Sequence, residues 1–469
     1  MTSTAAAVLL PGFLGTELPE WLAARLRGGL GGVCLFAQNI ASPEQLRSLT
    51  AAIRAANPLA IIAIDEEGGD VSRLHAATGS PFPGNAVLGR IDDVSLTASV
   101  GAAVARELRA AGVNVNFAPD VDINSNPDNP VIGVRSFGTD PQLVARHASA
   151  WVAAHEAEGV AVSAKHFPGH GDTSSDSHHA LPVIDLPLET LRRRELVPFE
   201  AAVAAGARTI MSSHILLPQL DADGPATFSS PILEGILRGD LGFTGVIVSD
   251  ALDMTGASGE IGIPAAAVRA LAGGCDLLCI GTENTDEQLG EIESAIDAAV
   301  ASGALDADRL ADAAARIREL AESLAVDPSE APEPYATDPA QLRRAFDVAN
   351  GVLPLAAEYR IVSIETVANM AVGPDVPWGL ASAGIAPERL HEGDTLPDST
   401  LPYLVVGKDN HRRDWTRDLI DRARAAQPAT IVIDMGWPAP DRRYADIATF
   451  GASRSVALAL RGLLEGDGL

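Results

Sequence analysis

Short, almost wholly apolar runs recur along the first two thirds of the chain, and they alternate with segments of helical period. Such runs are typical of strands buried on both faces of a parallel sheet, because no position faces solvent. The segment 94–112 (VSLTASVGAAVARELRAAG) has the period of a connecting helix. The runs are AAVLLPGF (6–13), GGVCLFAQN (31–39), AIIAIDEEGG (60–69), VNVNFAPDVD (113–122), VAVSAKHFPGHG (160–171), TIMSSHIL (209–216), GVIVSDALDM (245–254) and CDLLCIG (275–281).

Eight strands that alternate with helices over about 320 residues predict an α/β fold of the (β/α)8 TIM-type barrel class, with a doubly wound open sheet as the alternative. Several runs also end in polar residues, which favours the barrel, because the carboxyl ends of barrel strands converge on one mouth. These polar ends are Asp65-Glu66-Glu67, Asp120 with Asp122, Lys165-His166, Ser212-Ser213-His214 and Ser249-Asp250.

The composition of the chain changes after residue 325, where proline and acidic residues become frequent, as in a linker. Further strand-like and helical segments follow. We therefore predict a barrel over 1–325, a linker over 326–345 and a small second α/β domain over 346–469. The later strand-like runs are LPYLVVGK (401–408), ATIVIDMG (429–436) and IATFGAS (447–453), separated by helical stretches at 412–426 and 454–465.

The net charge of the 469 residues is −28, which argues against a nucleic-acid partner and against binding to an anionic membrane surface. The N-terminus has no basic region and no stretch is apolar enough to span a bilayer, so we expect a cytoplasmic protein, monomeric or homodimeric. Cys34, Cys275 and Cys279 are expected in the core, because they are odd in number and form no paired metal motif.

The segment 163–185 (SAKHFPGHGDTSSDSHHALPVID) places many ionisable side chains in one loop. It holds four of the ten histidines and one of the two lysines of the chain. Asp176 and His178 are two residues apart, a spacing that lets a carboxylate in a loop orient an imidazole as a general acid/base. The alternative is a set of solvated surface histidines or a capping network, but the density of His and Asp favours function.

A metal site in this loop is the competing interpretation, with His166, His170 and Asp172 as ligands and His178 or His179 as another. The H-x3-H spacing suits a helix face, and Pro168-Gly169 prevents a helix here. We therefore predict no metal and no cofactor.

Three further motifs carry candidate residues. Asp250 would project from the end of a buried strand, although Asp is also a good helix cap. Asp65 and Arg73 flank the Gly68-Gly69 turn and offer an acceptor and a bidentate donor suited to sugar hydroxyls; an ordinary turn with a surface salt bridge is the alternative. Arg135 lies in the loop NPVIGVRSFGTDP (129–141) and would alone be equally consistent with a surface arginine.

Together these motifs resemble family 3 glycoside hydrolases, in the β-N-acetylglucosaminidase branch, over roughly residues 5–320. The elements KHFPGHGDT, DSH and LP between Lys165 and Pro182 match the hallmark of that branch. IDEEGGDVSRL, IGVRSFG and VSDALDM match its other motifs in family order.

The resemblance implies retaining hydrolysis of a terminal non-reducing β-linked N-acetylglucosamine in glycans such as muropeptides of cell-wall recycling or chitin-type oligosaccharides. Asp250 would be the nucleophile, His178 the general acid/base and Asp176 its orienting partner. The residues implied to bind the terminal sugar are Asp65, Arg73, Arg135, Lys165 and His166.

Three alternatives remain open. A β-glucosidase or β-xylosidase of the same family is possible, although the hallmark loop favours N-acetylglucosamine. A phosphorylase of the same family is possible, because a neutral histidine in place of a carboxylate lets phosphate approach. A non-catalytic sugar-binding barrel is also possible, although both Asp250 and His178 are present.

Overall fold

The computed structural model describes residues 4–175, 181–259, 261–324, 332–355, 358–367, 371–373 and 376–468. The chain forms two compact units that are not contiguous in sequence. The barrel unit comprises Met1–Glu66, Val94–Ile123 and Thr139–Glu333, and the second unit comprises Glu67–Asp93, Asn124–Gly138 and Pro334–Leu469. The division thus differs from a simple cut near residue 325, because two early segments group with the later part of the chain. Part of the predicted linker, residues 326–331, lies outside the described residues.

The predicted (β/α)8 barrel is confirmed. All eight strands pair in parallel, in the order β1-β8-β7-β6-β5-β4-β3-β2. Backbone hydrogen bonds from Gly31 N to Ala6 O (3.0 Å) and from Cys34 N to Pro11 O (2.9 Å) link the first two strand segments and close the barrel. The strands are β1 (Leu9–Leu10), β2 (Gly32–Leu35), β3 (Ile61–Ile64), β4 (Val115–Asn116), β5 (Ala161–Phe167), β6 (Thr209–Ser212), β7 (Val246–Ser249) and β8 (Leu277–Cys279), each within a predicted run.

Helices connect the strands, and α3 and α12 to α15 belong to the second unit. The α-helices are α1 (Glu20–Arg27), α2 (Pro43–Ala56), α3 (Asn85–Ile91), α4 (Val94–Ala111), α5 (Pro141–Ala157), α6 (Leu188–Arg193), α7 (Leu196–Ala204), α8 (Thr255–Ser258), α9 (Ile263–Gly273), α10 (Asp286–Ser302), α11 (Ala307–Ser323), α12 (Pro339–Arg343), α13 (Gly379–Ser382), α14 (Asp414–Ala426) and α15 (Arg454–Glu465). The segment Pro231–Asp240 is π-helical, and short 3-10 turns occur at Ala6–Val8, Ala37–Asn39, Gly133–Arg135 and Ala226–Phe228.

The barrel strands are buried at every position. This follows from the apolar runs, since a strand covered by side chains within and helices outside has no solvent face. The three cysteines are buried free thiols, as predicted. Among the residues that the structure describes, no helix is both long and apolar enough to cross a membrane.

The second unit contains a six-stranded sheet of order β11-β10-β12-β13-β14-β9. Its strands are parallel except β9, which pairs antiparallel with β14. Strand β10 lies between β11 and β12, which is the order of a doubly wound sheet. The strands are β9 (Asp347–Val348), β10 (Arg360–Ile364), β11 (Glu388–Leu390), β12 (Tyr403–Gly407), β13 (Ile431–Asp434) and β14 (Ile447–Ala448). The last three were predicted, and β9 to β11 were not.

A buried carboxylate fixes the amino-terminal end of β8. Asp276 is fully buried and accepts hydrogen bonds from Arg238 Nη2 at 2.6 Å and Arg309 Nη2 at 2.5 Å. The backbone N–H of Ile247, at the start of β7, also donates to it at 2.8 Å. One carboxylate therefore ties two helical segments to two strands.

We predict that Asp276→Ala destabilises the protein by about 3 kcal/mol or more, because it leaves two arginines near the core without their counter-charge. Asp286→Ala is the matched control. Asp286 also pairs with an arginine, Arg25, at 2.6 Å, but its side chain is 58% exposed, and such pairs contribute less than about 1 kcal/mol. Urea and thermal unfolding midpoints of the two variants measure the difference; equal midpoints would contradict the prediction.

Candidate active site

Four of the predicted site residues lie at the carboxyl ends of barrel strands. Asp65 follows β3, Lys165 and His166 are near the end of β5, and Asp250 follows β7. In a (β/α)8 barrel these ends form one mouth. The prediction that they converge there is consistent with the fold.

Strand β5 is irregular where it carries Lys165 and His166. Its pairing with β6 shifts between Ala164 and Phe167, so that β5 holds one residue more than its neighbour. Such a bulge changes the direction of the side chains it contains and is frequent beside functional sites. The Lys165–His166 peptide bond is cis. The bulge therefore gives these two consecutive side chains an orientation that regular alternation would not.

Lys165 forms an ion pair with Asp65. Its Nζ lies 2.6 Å from Asp65 Oδ1, and the lysine side chain is almost completely buried. Since a buried ammonium requires a counter-charge, this pair accounts for the position of both residues. A donor and an acceptor are held side by side at the mouth, between the ends of β3 and β5.

Asp122 holds His166 and the start of the following turn. The carboxylate is fully buried and lies 2.6 Å from His166 Nδ1 and 2.6 Å from the backbone N of His170. The backbone N–H of His166 also donates to it at 3.3 Å. A carboxylate can only accept, so the hydrogen bond places the proton on Nδ1 and fixes the orientation of the ring.

His170 is a structural histidine of this loop. Its ring is buried, and its Nδ1 lies 2.8 Å from Thr173 Oγ1. Burial, followed by the neighbouring His166, lowers the pKa of His170 to about 4, although Asp122 and Asp250 act in the opposite direction. The ring is therefore neutral at physiological pH.

The metal interpretation based on His166, His170 and Asp172 is not favoured by these contacts. His170 binds Thr173, and Asp172 accepts from Arg194 Nη2 at 2.8 Å. A different set, Asp120, Asp122 and His166, has ligand atoms within 4.8 Å of one another. A cation there would have to displace the proton shared by Asp122 and His166.

Asp250 is oriented by its own turn. Its Oδ1 accepts from the backbone N of Ala251 at 2.8 Å, and the carbonyl of Ala251 accepts from His214 Nε2 at 3.0 Å. His214 is fully buried, with Nδ1 at 2.9 Å from Thr227 Oγ1. The histidine at the end of β6 thus supports the backbone beside Asp250.

Arg73 and Arg135, also predicted as sugar ligands, belong to the second unit. Arg135 is buried and forms a bidentate pair with Glu67, with Nη2–Oε1 at 2.7 Å and Nε–Oε2 at 3.0 Å. Asn85 Nδ2 donates to the carbonyl of Arg135 at 2.7 Å. Arg73 Nη1 donates to the carbonyl of Ala371 at 2.7 Å. A surface role for Arg135 is therefore wrong.

The predicted acid/base pair, Asp176 and His178, lies outside the described residues, so the contacts around it remain predictions. The described chain leads to it through the turn 168–175, whose first half is anchored by Asp122.

Three carboxylates near the site were not predicted from the sequence as partners: Asp122, Glu67 and Glu195, whose Oε1 lies 2.5 Å from Arg194 Nε. Asp122 follows a predicted strand, and Glu67 lies in the IDEEGGDVSRL motif. Both positions were a usable signal, but neither residue was assigned a role. Glu195 stands directly before α7, and nothing in the sequence pattern identifies it.

Comparison with known proteins gives a consistent result. Residues 15–320 match the family described as "Glycosyl hydrolase family 3 N terminal domain". A protein named "Beta-hexosaminidase A" from Pseudoalteromonas piscicida is 38% identical over 333 residues; these are 65% of this chain and 55% of that protein, so the chain spans about half its length. A "Beta-hexosaminidase" from Stenotrophomonas maltophilia (strain R551-3) is 38% identical over 297 residues, 61% of this chain and 87% of that protein.

The solved structure of a glycoside hydrolase family 3 β-N-acetylglucosaminidase from Paenibacillus sp. str. FPU-7 is similar over both units. It is 31% identical with a TM-score of 0.86, and the match covers 99% of this chain and 96% of that chain.

We predict that His170 stays neutral down to about pH 5. Its folded pKa of about 4 lies below the value of 6.5 in an unfolded chain. The folded state therefore binds fewer protons between these values, and the stability from this group, complete above pH 6.5, is lost as the pH falls through 4. Nitrogen NMR of the imidazoles from pH 8 to 4.5 tests this, with His170→Gln to assign the signal and the urea-unfolded protein as control. A titration midpoint above 6 for this ring would refute it.

Proposed function

The chain belongs to glycosyl hydrolase family 3, and from that premise we propose that it is a retaining glycosidase that removes terminal non-reducing β-linked N-acetylglucosamine. The observation that carries the proposal is a group of polar side chains at the barrel mouth. It comprises the Lys165–Asp65 pair, the His166–Asp122 pair and the Asp250 carboxylate, which follows β7. The names of the relatives, hexosaminidase and β-N-acetylglucosaminidase, support the choice of sugar.

Lys165, Asp65 and His166 suit the binding of sugar hydroxyls. Lys165 donates and Asp65 accepts, and their mutual pairing at 2.6 Å keeps both side chains oriented before a ligand arrives. His166 adds a ring whose orientation is fixed by Asp122. Such preorganised groups lose little entropy on binding and can position the sugar for attack.

In the first step, the Asp250 carboxylate would attack the anomeric carbon while the glycosidic C–O bond breaks. The aglycone oxygen takes a proton from His178, so a neutral alcohol leaves and a covalent glycosyl-Asp250 ester remains. The hydrogen bond from Ala251 N at 2.8 Å orients the carboxylate.

In the second step, His178 would accept a proton from water, and the resulting hydroxide attacks the anomeric carbon and releases Asp250. Two inversions give net retention. Asp176 would hold the His178 ring in the required tautomer. In the second unit, Arg135 and Arg73 are proposed further ligands of the terminal sugar.

The natural substrate would be a muropeptide or a chitin-type oligosaccharide, since both end in β-linked N-acetylglucosamine. Phosphorolysis differs only in the acceptor that attacks the glycosyl-enzyme, so the test includes phosphate.

We expect release of p-nitrophenol and N-acetylglucosamine from p-nitrophenyl β-N-acetylglucosaminide. Asp250→Asn removes the nucleophile and should lower kcat by about a thousandfold or more. His178→Ala removes the general acid/base and should lower it by about 10²–10⁴-fold. NMR of the first-formed sugar should show the β-anomer.

Asp253→Asn is the matched control. It removes a carboxylate three residues further along, whose Oδ2 lies 3.3 Å from the backbone N of Thr282, and should change kcat by less than about tenfold. N-acetylglucosamine 1-phosphate formed in phosphate buffer would overturn hydrolysis in favour of phosphorolysis. Cleavage of the β-glucoside instead would overturn the assigned sugar, and full activity of Asp250→Asn the assigned nucleophile.

A further inference from the structure

Glu195 is a buried carboxyl that the proposed mechanism does not use. It stands at the start of α7, yet its side chain caps no helix N–H. The side chain has no exposed surface. Burial raises the pKa of Glu195 to about 7, with Arg194 acting in the opposite direction. Since burying an ion pair seldom adds stability, the position needs another explanation.

The carboxyl group is paired with Arg194 on one side. Arg194 Nε lies 2.5 Å from Glu195 Oε1, and Arg194 Nη2 lies 2.8 Å from Asp172 Oδ2. The guanidinium therefore bridges the start of α7 to the turn that follows β5. Charge-assisted contacts of this kind constrain direction as well as distance.

The turn also packs directly on Glu195. Gly169 has a φ of +125°, and a Cβ placed there would lie 2.8 Å from Glu195 Cβ and 3.1 Å from Glu195 Oε2. The backbone of the turn thus approaches Glu195 as closely as a glycine permits. On its other flank, the same turn is held by Asp122, which accepts from the backbone N of His170 at 2.6 Å.

The segment 169–172 is consequently fixed on both sides, and only three residues separate Asp172 from Asp176. We propose that Arg194 and Glu195 are positioning residues, which fix the direction in which the chain leaves this turn towards Asp176 and His178 and so govern proton transfer to the leaving group. This inference rests on the proposed role of His178.

The leaving group provides the test. A poor leaving group such as phenol needs the proton of the general acid, whereas 2,4-dinitrophenol departs without it. We define the leaving-group ratio as kcat/KM for 2,4-dinitrophenyl β-N-acetylglucosaminide divided by kcat/KM for the phenyl glycoside. Misplacing the acid by about 1 Å can cost about 100-fold. The ratio should therefore rise about tenfold or more in Arg194→Ala, Glu195→Gln and Asp172→Asn, with KM changed little.

Two further variants complete the design. His178→Ala is the reference and should raise the ratio most. Arg194→Lys keeps the positive charge but loses the bidentate guanidinium, and its leaving-group ratio should be intermediate. Asp172→Asn keeps the proposal testable if the buried substitutions prevent folding, because the Asp172 side chain is 28% exposed.

The matched control is a second Arg–Glu pair of the same barrel. Arg208 Nε lies 2.5 Å from Glu156 Oε2, and burial raises the pKa of Glu156 as well. This pair lies beside the amino-terminal ends of β5 and β6, since Glu156 also accepts from Val162 N and Arg208 N. Glu156→Gln and Arg208→Ala should leave the leaving-group ratio within about twofold of wild type.

The outcomes separate the inference from the function on which it rests. A wild-type protein that cleaves neither glycoside, or a His178→Ala variant with an unchanged ratio, overturns the proposed function and this inference with it. If His178→Ala raises the ratio but the Arg194, Glu195 and Asp172 variants do not, the positioning role alone is wrong. An equal rise in Glu156→Gln would also overturn it, because the effect would then be general loosening of the barrel.

Discussion

The barrel mouth depends on the carboxylate of Asp122, on which the ring N–H of His166 and the backbone N–H groups of His166 and His170 converge. The group is fully buried, so each of these hydrogen bonds is stronger than in water and each donor would be costly to leave unpaired. His166 lies in the bulge of β5, and His170 lies in the turn that follows the strand. The Asp122 side chain therefore sets both the orientation of the His166 ring and the path of the loop. The neutral state of His170 follows from the same burial.

Four carboxylates that contact the barrel strands have different partners at the two ends of the barrel. Near the strand starts, Asp276 and Glu156 pair with arginine, whose planar guanidinium gives a fixed geometry. At the mouth, Asp65 and Asp122 pair with Lys165 and His166. An ammonium has three donors and an imidazole has a second nitrogen, so these residues can form a pair and still contact a ligand. The arginine pairs of Asp276 and Glu156 hold the scaffold, and the lysine and histidine pairs keep donor groups available for a ligand.

The sequence predicted the features whose signal is local. All eight barrel strands are apolar runs, and Lys165, His166 and Asp250 stand where those runs end, which also located the mouth. Strands β9 to β11 were missed, because β9 has two residues and both β10 and β11 are partly exposed, so none gives a buried apolar run. The partners Asp122 and Glu195 were missed for another reason. Asp122 contacts His166, 44 residues away, and Glu195 lies against Gly169, 26 residues away, and spacing along the chain does not encode such a pairing. Grouping of 67–93 and 124–138 with the second unit is equally non-local.

The glycines of the FPGHG motif show how a local pattern can carry a long-range constraint. Pro168-Gly169 was predicted to prevent a helix, and Gly169 does adopt a φ that favours glycine. The stronger constraint is close packing on both flanks: Gly169 contacts Glu195, and a Cβ at Gly171 would overlap the carbonyl of Ile123. The residue next to Ile123 is Asp122, the anchor of the turn. The same two glycines that allow the chain to turn therefore bring its backbone against Asp122–Ile123 on one side and Arg194–Glu195 on the other. A side chain at Gly169 would push the turn away from Glu195, and one at Gly171 would push it away from Ile123. Neither substitution removes a group that takes part in the proposed chemistry.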